Sequence, residues 1–254
     1  MTSEASDAVT ACVLIIGNEI LSGRTQDINL NHIALTLGGW GIQVREARVV
    51  PDVEGDIVDA VNAARQRYDY VFTTGGIGPT HDDITAACIA RAFGVPLVEH
   101  PEIAALIRTR PAPPPVMAAR LRMAQVPEGA QLVANTTGGP PGFSMDNVFV
   151  MAGIPSVMQA MLGSLEGKLR SGPMVRSRSV TAYLGESQIA TALAEIQQQF
   201  PQVDLGSYPF FRKERYGTSL VMRGTNPEAL DAMLAAVQQA IIDAGETPAD
   251  VRHE

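Results

Sequence analysis

Cysteine, basic residues and long apolar stretches are all scarce in this chain, which rules out several classes of protein. Only 2 cysteines occur in 254 residues, so we expect neither a disulfide-stapled secreted scaffold nor a cysteine-rich metal site. The 19 basic residues are outnumbered by 27 acidic ones, which gives a formal net charge of −8. Because general nucleic-acid binders present a basic face, we expect no nucleic-acid partner.

Membrane and secretion signals are missing as well. No apolar run reaches the roughly 18 residues that a membrane-spanning helix needs. The segment Met1–Thr10 contains acidic residues but no basic residue, so it lacks the pattern of a secretory signal. The sequence therefore favours a cytoplasmic protein that has no membrane partner.

The remaining composition is that of a folded protein with a substantial core. Hydrophobic residues make up 46% of the chain and charged residues 18%, as in ordinary globular domains. The length exceeds that of a typical single domain, and a composition break falls at Ser171–Pro173. We predict a flexible tail over residues 1–9, a main domain over residues 10–170 and a small α+β subdomain over residues 175–250.

Short apolar runs alternate with helical periodicity along the main domain. Residues 10–16, 42–50 and 71–74 are typical of buried strands, whereas residues 54–67 and 84–93 place their apolar side chains on one helix face. Buried strands separated by helices indicate an α/β fold with a mostly parallel sheet. In the subdomain, the predicted order is strand, helix, strand, strand, helix.

The most informative stretch runs from a predicted strand through a glycine-rich turn into a helix. It spans Val71–Thr85 and contains Gly75, Gly76 and Gly78. Glycine leaves the backbone without a Cβ atom, so an anionic group can approach closely. Backbone N–H groups at the start of the following helix, together with the helix dipole, favour a phosphate.

Two common phosphate-binding motifs do not fit this turn. A P-loop needs a Lys-Ser or Lys-Thr pair that closes the turn, and none is present here. A dinucleotide fingerprint needs a glycine where His81 stands. The alternative is a plain strand-to-helix turn in which Asp82 and Asp83 cap the helix and complement its dipole.

Acidic residues directly beside a predicted phosphate site indicate a divalent cation between them. Asp82 and Asp83 follow the glycine-rich turn at once. Mg²⁺ is commonly held by one or two carboxylates together with substrate phosphates. The turn is therefore a candidate site for a metal-bound phosphate.

Two further loops follow predicted strands and are expected at the edge of the sheet where α/β proteins bind ligands. One loop begins at Gly17-Asn18-Glu19, and the other is Gly153-Ile154-Pro155-Ser156. The second loop opens a helix and is therefore another candidate for anion binding. For both loops the alternative is a helix cap that binds no ligand.

Four stretches resemble, in order and spacing, the molybdopterin-binding-like domain family. They are most similar to the N-terminal part of CinA (competence/damage-inducible protein A) and to the corresponding domain of eukaryotic FAD synthase: Ile16–Gly23, Val50–Asp52, Thr74–Thr85 and Gly153–Ser156. The resemblance implies a three-layer α/β/α fold with a mostly parallel sheet. It also implies a small C-terminal α+β subdomain of the KH-like type, and a homo-oligomer that is a dimer or a trimer.

The resemblance implies two activities as well. In CinA and FAD synthase, domains of this kind are associated with metal-dependent cleavage of the pyrophosphate in ADP-ribose or FAD. In molybdenum-cofactor proteins, the fold binds molybdopterin and transfers an adenylyl group to it. The expected small-molecule partner is a nucleotide or a pterin such as molybdopterin. The expected cofactors are a divalent cation (Mg²⁺, Co²⁺ or Mn²⁺) and K⁺.

The resemblance and the loop chemistry together predict one site. Its catalytic residues are Asp83, Asp82 and Glu19, with Glu19 as a candidate general base. The predicted cation ligands are Asp52 and Asp83. The residues predicted to bind the phosphate-containing ligand are Gly17, Asn18, Gly75, Gly76, Gly78, Pro79, Thr80, His81, Gly153, Pro155 and Ser156. Ala152 departs from the family pattern, which has proline there.

Overall fold

The computed structural model of the chain describes residues 8–212 and 214–253. It contains two structural units, the first ending at Gly172 and the second beginning at Pro173. Most of the tail predicted over residues 1–9 lies outside the described residues, and Val9 already belongs to the first strand. Among the described residues, no helix is both long enough and apolar enough to cross a bilayer.

Eight strands and seven helices of the described chain form the first unit. The strands are β1 (Val9–Ile16), β2 (Ile42–Val50), β3 (Tyr70–Thr74), β4 (Leu97–Glu99), β5 (Gln125–Pro127), β6 (Gln131–Val133), β7 (Gly142–Met145) and β8 (Val148–Met151). The helices are α1 (Asn18–Leu21), α2 (Asn29–Gly39), α3 (Glu54–Arg67), α4 (Thr85–Phe93), α5 (Pro101–Arg108), α6 (Pro114–Leu121) and α7 (Pro155–Gly163).

The central sheet of the first unit has six strands in the order β2-β1-β3-β8-β7-β6. The first four strands are parallel to one another, and β7 and β6 complete the sheet in antiparallel pairing. Strands β4 and β5 form a separate two-stranded ladder. The predicted mostly parallel sheet is therefore confirmed.

Alternate residues of β1 face two different helical layers, which explains why the whole strand is apolar. Cys12 and Leu14 belong to a core cluster that includes buried residues of α3, α4 and α5. Val13 and Ile15 belong to a second cluster that includes buried residues of α2 and α7. Helices on both faces of one sheet give the three-layer α/β/α arrangement that was predicted.

The two cysteines are buried in the first of these clusters. Cys12 and Cys88 are both free thiols with no exposed surface. Burial raises the pKa of each thiol to about 11, so both stay protonated near neutral pH. They contribute as small apolar side chains and not as nucleophiles.

The second unit is an antiparallel sheet with two helices. Its elements are β9 (Arg176–Ala182), α8 (Glu186–Gln199), β10 (Asp204–Arg212), β11 (Arg215–Gly224), α9 (Pro227–Asp243) and β12 (Ala249–His253), and the strand order is β10-β11-β9-β12. Its core contains Val180, Leu193, Leu220 and Val237. Strand β12 was not predicted, because its residues are mostly exposed and contain a single large apolar side chain, Val251.

The topology brings three loops to one edge of the central sheet. Strands β1, β3 and β8 are parallel and adjacent, with Ile15 opposite Thr74 and Thr74 opposite Met151. Their carboxyl ends therefore meet, and so do the loops that begin at Gly17, Gly75 and Ala152. This is the edge where ligands bind in open α/β sheets.

Candidate functional site

A cleft of about 480 Å³ lies at the carboxyl edge of the sheet. It is of the size that holds a small organic ligand or part of a nucleotide. The residues predicted for the site that line this cleft are Glu19, Gly75, Gly76, Gly78, Pro79, Asp83 and Gly153. Residues from all three strand-end loops therefore converge on one space.

The glycine-rich turn after β3 tolerates no side chain at its first two positions. Gly75 has φ +101°, and a Cβ atom there would lie 2.1 Å from the carbonyl oxygen of Ile16. Gly76 has φ +67°, and a Cβ atom there would lie 2.1 Å from Oγ1 of Thr85. The packing of the protein itself therefore requires glycine at both positions.

The backbone N–H groups of this turn divide into two sets. The N–H of Gly75 donates to the carbonyl of Met151 at 3.2 Å, and that of Thr80 donates to Oδ2 of Asp83 at 2.8 Å. Within the described chain, the N–H groups of Gly76, Ile77 and Gly78 have no hydrogen-bond partner. Three successive unpaired N–H groups at the wall of a cleft are a candidate site for an anion.

Asp83 lies against this set of N–H groups. A Cβ atom on Gly78 would lie 2.6 Å from Oδ2 of Asp83, so the glycine makes room for the carboxylate. Oδ2 also accepts the hydroxyl of Thr80 at 2.5 Å. Oδ1 makes no hydrogen bond to a described residue and is available to a ligand or a cation.

Glu19 supplies the second carboxylate of the cleft. It lies in the short helix α1, and its carboxylate folds back over Gly17, where a Cβ atom would lie 2.5 Å from Oε2. No described residue donates a hydrogen bond to this carboxylate. Gly17 itself is buried, and its N–H donates to the carbonyl of Val50 at 3.2 Å. Gly17 thus positions Glu19 and does not line the cleft.

Asp52 holds the start of helix α1. Its Oδ2 accepts the backbone N–H of Asn18 at 2.8 Å. Neither Asp52 nor Asn18 lines the cleft. The predicted cation ligand Asp52 therefore stands beside the site, linked through Asn18 to the helix that carries Glu19.

Asp82 and His81 lie at the surface next to the turn, outside the cleft lining. The side chain of His81 is 95% exposed, with Nδ1 at 3.8 Å from Oδ1 of Asp82. The side chain of Thr80, by hydrogen bonding, and the charges of His81 and Arg122 hold the pKa of Asp82 below its usual value. In the described part of the chain, no group of three or more His, Cys, Asp or Glu side chains forms a self-sufficient metal site.

The turn after β8 packs directly on the glycine-rich turn. A Cβ atom on Gly153 would lie 3.4 Å from Cα of Gly75, and the carbonyl of Gly153 accepts Nδ2 of Asn29 at 2.8 Å. Pro155 is the first residue of α7 and lines a smaller neighbouring cavity of about 80 Å³. Ser156 is exposed and lines neither space.

A second wall of the cleft was not predicted. It is largely apolar, with one arginine and one loop at the rim, and it comprises Arg122, Met123, Val126, Asn135, Thr137, Gly139, Pro140, Pro141, Phe143, Val157 and Met161. Strand β7 runs antiparallel to β8, so the loop that precedes β7 reaches the edge where β8 ends. The glycine and proline residues of that loop marked a turn in the sequence, but no pattern linked the turn to the site.

Asn135 fixes the shape of the rim loop. Its Oδ1 accepts the N–H of Thr137 at 3.0 Å and the hydroxyl of Thr137 at 2.7 Å. Its Nδ2 donates to the carbonyl of Pro140 at 3.0 Å. The side-chain amide thus replaces backbone hydrogen bonds within the loop, and this wall of the cleft is formed in advance of binding.

Comparison with known protein families identifies this architecture. The family model described as a probable molybdopterin binding domain matches residues 12–170. The chain belongs to this family. A second model, the middle domain of FAD synthase, matches residues 174–248 of this molybdopterin-binding-domain protein.

Similar proteins cover both units of the chain. A protein of Pyrobaculum calidifontis is 36% identical over 211 residues, which are 79% of this chain and 80% of that protein. A CinA-like protein of Myxococcus xanthus is 31% identical over 246 residues, covering 89% of this chain and 57% of that protein. A probable FAD synthase of Caenorhabditis briggsae is 29% identical over 261 residues, covering 92% of this chain and 50% of that protein. The chain thus spans about half the length of these two longer relatives.

A solved structure supports the same assignment. CinA of Thermoplasma acidophilum, a protein of unknown function, matches with a TM-score of 0.58 and 33% identity, covering 64% of this chain and 99% of that chain. The resemblance to CinA-type molybdopterin-binding-like domains, drawn from four short stretches of sequence, is confirmed.

Proposed function

We propose that this protein is a divalent-metal-dependent pyrophosphatase that cleaves a dinucleotide such as ADP-ribose or FAD. One observation carries the proposal: the unpaired N–H groups of residues 76–78 share a cleft with the carboxylates of Asp83 and Glu19. The N–H groups attract a phosphate, whereas the two carboxylates repel it. The combination is favourable when a cation lies between carboxylate and phosphate oxygens.

The residues of the cleft fit such a cation. Asp83 offers Oδ1, and Glu19 offers a carboxylate without a hydrogen-bond donor. Mg²⁺ is usually bound by one or two carboxylates of the protein together with phosphates of the substrate. Mn²⁺ and Co²⁺ can bind the same oxygen atoms. When bound, the cation would polarise the phosphoryl group and neutralise charge on the leaving phosphate. Asp52 would act through Asn18, by holding helix α1 in place.

The protein groups would then divide the reaction between them. The N–H groups of Gly76, Ile77 and Gly78 hold one phosphate and stabilise the charge that grows on its oxygens. Glu19 accepts a proton from the attacking water. The water oxygen bonds to that phosphorus and the bridging P–O bond breaks, so ADP-ribose would give AMP and ribose 5-phosphate, and FAD would give AMP and FMN.

The apolar wall suits the rest of such a ligand. Phe143, Met123 and Met161 line the same cleft as the glycine-rich turn. Flat apolar and sulfur-bearing surfaces favour a ring system such as adenine or flavin. Similarity to a probable FAD synthase also favours a dinucleotide of this kind.

A second candidate function is binding or adenylylation of molybdopterin without hydrolysis. It is favoured by the family match over residues 12–170. The same N–H groups would hold the phosphate of the pterin, and the apolar wall would hold its ring. The carboxylates of Asp83 and Glu19 would then have no hydrolytic role.

Product analysis separates the two functions. The purified protein is incubated with ADP-ribose, FAD or ATP, with Mg²⁺, Mn²⁺ or Co²⁺, with and without K⁺, and the nucleotides are resolved by chromatography. Cation-dependent release of AMP from ADP-ribose or FAD is the expected result. Retention of a pterin with no turnover of any dinucleotide would favour the second function. Light scattering on the same sample tests the expectation that the protein forms a dimer or a trimer.

A further inference from the structure

Arg122 is an arginine of the cleft whose charge lowers the pKa of Asp82, although no close ion pair joins the two side chains. It lines the cleft and is exposed. Its guanidinium makes no hydrogen bond or ion pair with a described residue, although Asp83 and Glu19 line the same cleft. Nearby arginines differ, because Arg120 donates to the carbonyl of Arg110 at 3.2 Å and Arg110 donates to that of Gly138 at 3.2 Å.

The backbone that carries Arg122 is held firmly. Arg122 begins a 3₁₀ turn that ends at Ala124, between α6 and β5. Ala124 is fully buried, and its carbonyl accepts the N–H of His100 at 2.8 Å. The cleft therefore has an arginine on a fixed turn, and its guanidinium donates no hydrogen bond to a described residue.

The cleft offers two kinds of contact for an anion. The first is the set of N–H groups at residues 76–78, which a single phosphate occupies under the proposed function. Arg122 also lines the cleft, with Met123 and Val126. A guanidinium that lines the cleft and donates no hydrogen bond to a described residue can bind an anionic ligand, since arginine binds phosphate oxygens in a paired, planar geometry.

We propose that Arg122 binds the second phosphate of the ligand, so that the cleft selects diphosphates over monophosphates. The inference rests on the proposed function, because it takes the N–H groups of residues 76–78 as the site of the first phosphate. Arg122 is then a specificity-determining residue that contacts the substrate. A product monophosphate such as AMP would then leave the cleft more readily than the intact dinucleotide.

Binding of two stable probes tests this proposal. α,β-Methylene-ADP has a diphosphate whose P–C–P bridge water does not cleave, and AMP has a single phosphate. Their dissociation constants are measured by calorimetry in the presence of Mg²⁺ for the wild-type protein and for Arg122→Gln and Arg122→Lys. We expect wild type to bind α,β-methylene-ADP more tightly than AMP. Arg122→Gln should weaken binding of the methylene analogue about 10- to 100-fold, because a charge-assisted hydrogen-bonded contact is lost. The same substitution should weaken binding of AMP by less than about 3-fold. The affinity of Arg122→Lys for the methylene analogue should lie between those of wild type and Arg122→Gln. Lysine keeps the positive charge but loses the two parallel N–H donors of the guanidinium.

Arg45→Gln is the matched control. Arg45 is an exposed arginine of the edge strand β2 that makes no hydrogen bond or ion pair with a described residue and does not line the cleft. The Arg45→Gln protein should bind both probes as tightly as wild type does. The proposal is overturned if Arg122→Gln weakens both probes equally, if it weakens neither, or if wild type does not discriminate between them. Absence of AMP release from ADP-ribose and FAD would instead count against the proposed hydrolysis, which these binding measurements do not involve.

Discussion

The backbone N–H and the hydroxyl of Thr80 both donate to a single carboxylate oxygen of Asp83, at 2.8 and 2.5 Å. This pair of hydrogen bonds closes the turn that follows Gly78 and places the carboxylate beside the unpaired N–H groups. Asp83 therefore has a structural role through Oδ2 and a proposed cation-binding role through Oδ1. The two roles can be separated by experiment.

Asp83→Asn should retain the structure of the turn and lose the cation-dependent activity. The amide oxygen of asparagine still accepts from Thr80, whereas the negative charge for the cation is gone. We expect a melting temperature close to that of wild type and a fall of about 100-fold or more in kcat/KM for cation-dependent AMP release. Asp59→Asn, an exposed aspartate of α3 outside the cleft, should leave the rate unchanged. An Asp83→Asn protein with wild-type activity would rule out the cation role.

Asp52 should behave as a positioning residue. Its Oδ2 accepts the N–H of Asn18, and asparagine at position 52 preserves an acceptor there. We expect Asp52→Asn to keep the cation dependence of the rate within about 3-fold of wild type, and Asp52→Ala to lower kcat about 10-fold because Glu19 is less well held. The cation concentration for half-maximal rate distinguishes the roles: a large increase for Asp52→Asn would make Asp52 a direct ligand.

Gly76→Ala should destabilise the protein through its own packing. The new methyl group would meet Oγ1 of Thr85 at 2.1 Å, in a backbone conformation with φ +67°. We expect a loss of about 2–3 kcal/mol in the free energy of unfolding, measured by urea titration. Gly38→Ala is the control, because Gly38 lies in α2 and a Cβ atom there meets nothing within 4 Å. That substitution should stabilise by about 0.5–1 kcal/mol.

Glu46 should make stability depend on pH in the acid range. It accepts hydrogen bonds from the Arg48 guanidinium and, at 2.5 Å, from the hydroxyl of Tyr68. These bonds, with Arg48 the larger cause, lower the pKa of Glu46 from 4.5 to about 2. Because the carboxylate is favoured in the folded state, its stabilisation is complete above about pH 4.5 and is lost as the pH falls towards 2.

A comparison with Glu46→Gln measures this contribution. Unfolding free energies from urea titrations should differ most between wild type and Glu46→Gln above pH 4.5, and the two should converge as the pH approaches 2. Glu128→Gln, at an exposed glutamate whose side chain makes no hydrogen bond with a described residue, should parallel wild type throughout. A constant difference between wild type and Glu46→Gln across this range would mean that the pKa of Glu46 is not lowered by folding.

Much of the first unit was predictable because its signals are local. Buried strands of a parallel sheet are continuous apolar runs, and helix α3 (Glu54–Arg67) was predicted at both ends. The antiparallel strand β7 was missed, as was the short strand β12. Each has few apolar residues of its own, and its pairing depends on a neighbouring strand that the local sequence does not specify.

The site likewise has features set by neighbouring residues in the sequence and features set by contacts between distant segments of the chain. By itself the sequence determined that glycines 75, 76 and 78 form a turn between a strand and a helix with Asp83 next to it, because turn geometry and helix starts are set by neighbouring residues. Only the tertiary structure decided which N–H groups remain free, since the partners of Gly75 and Thr80 are Met151 and Asp83. It alone brought Arg122 and the apolar wall into one cleft with the turn, because chain segments far apart in sequence meet only through the pairing of β7 with β8 and the packing of the folded core.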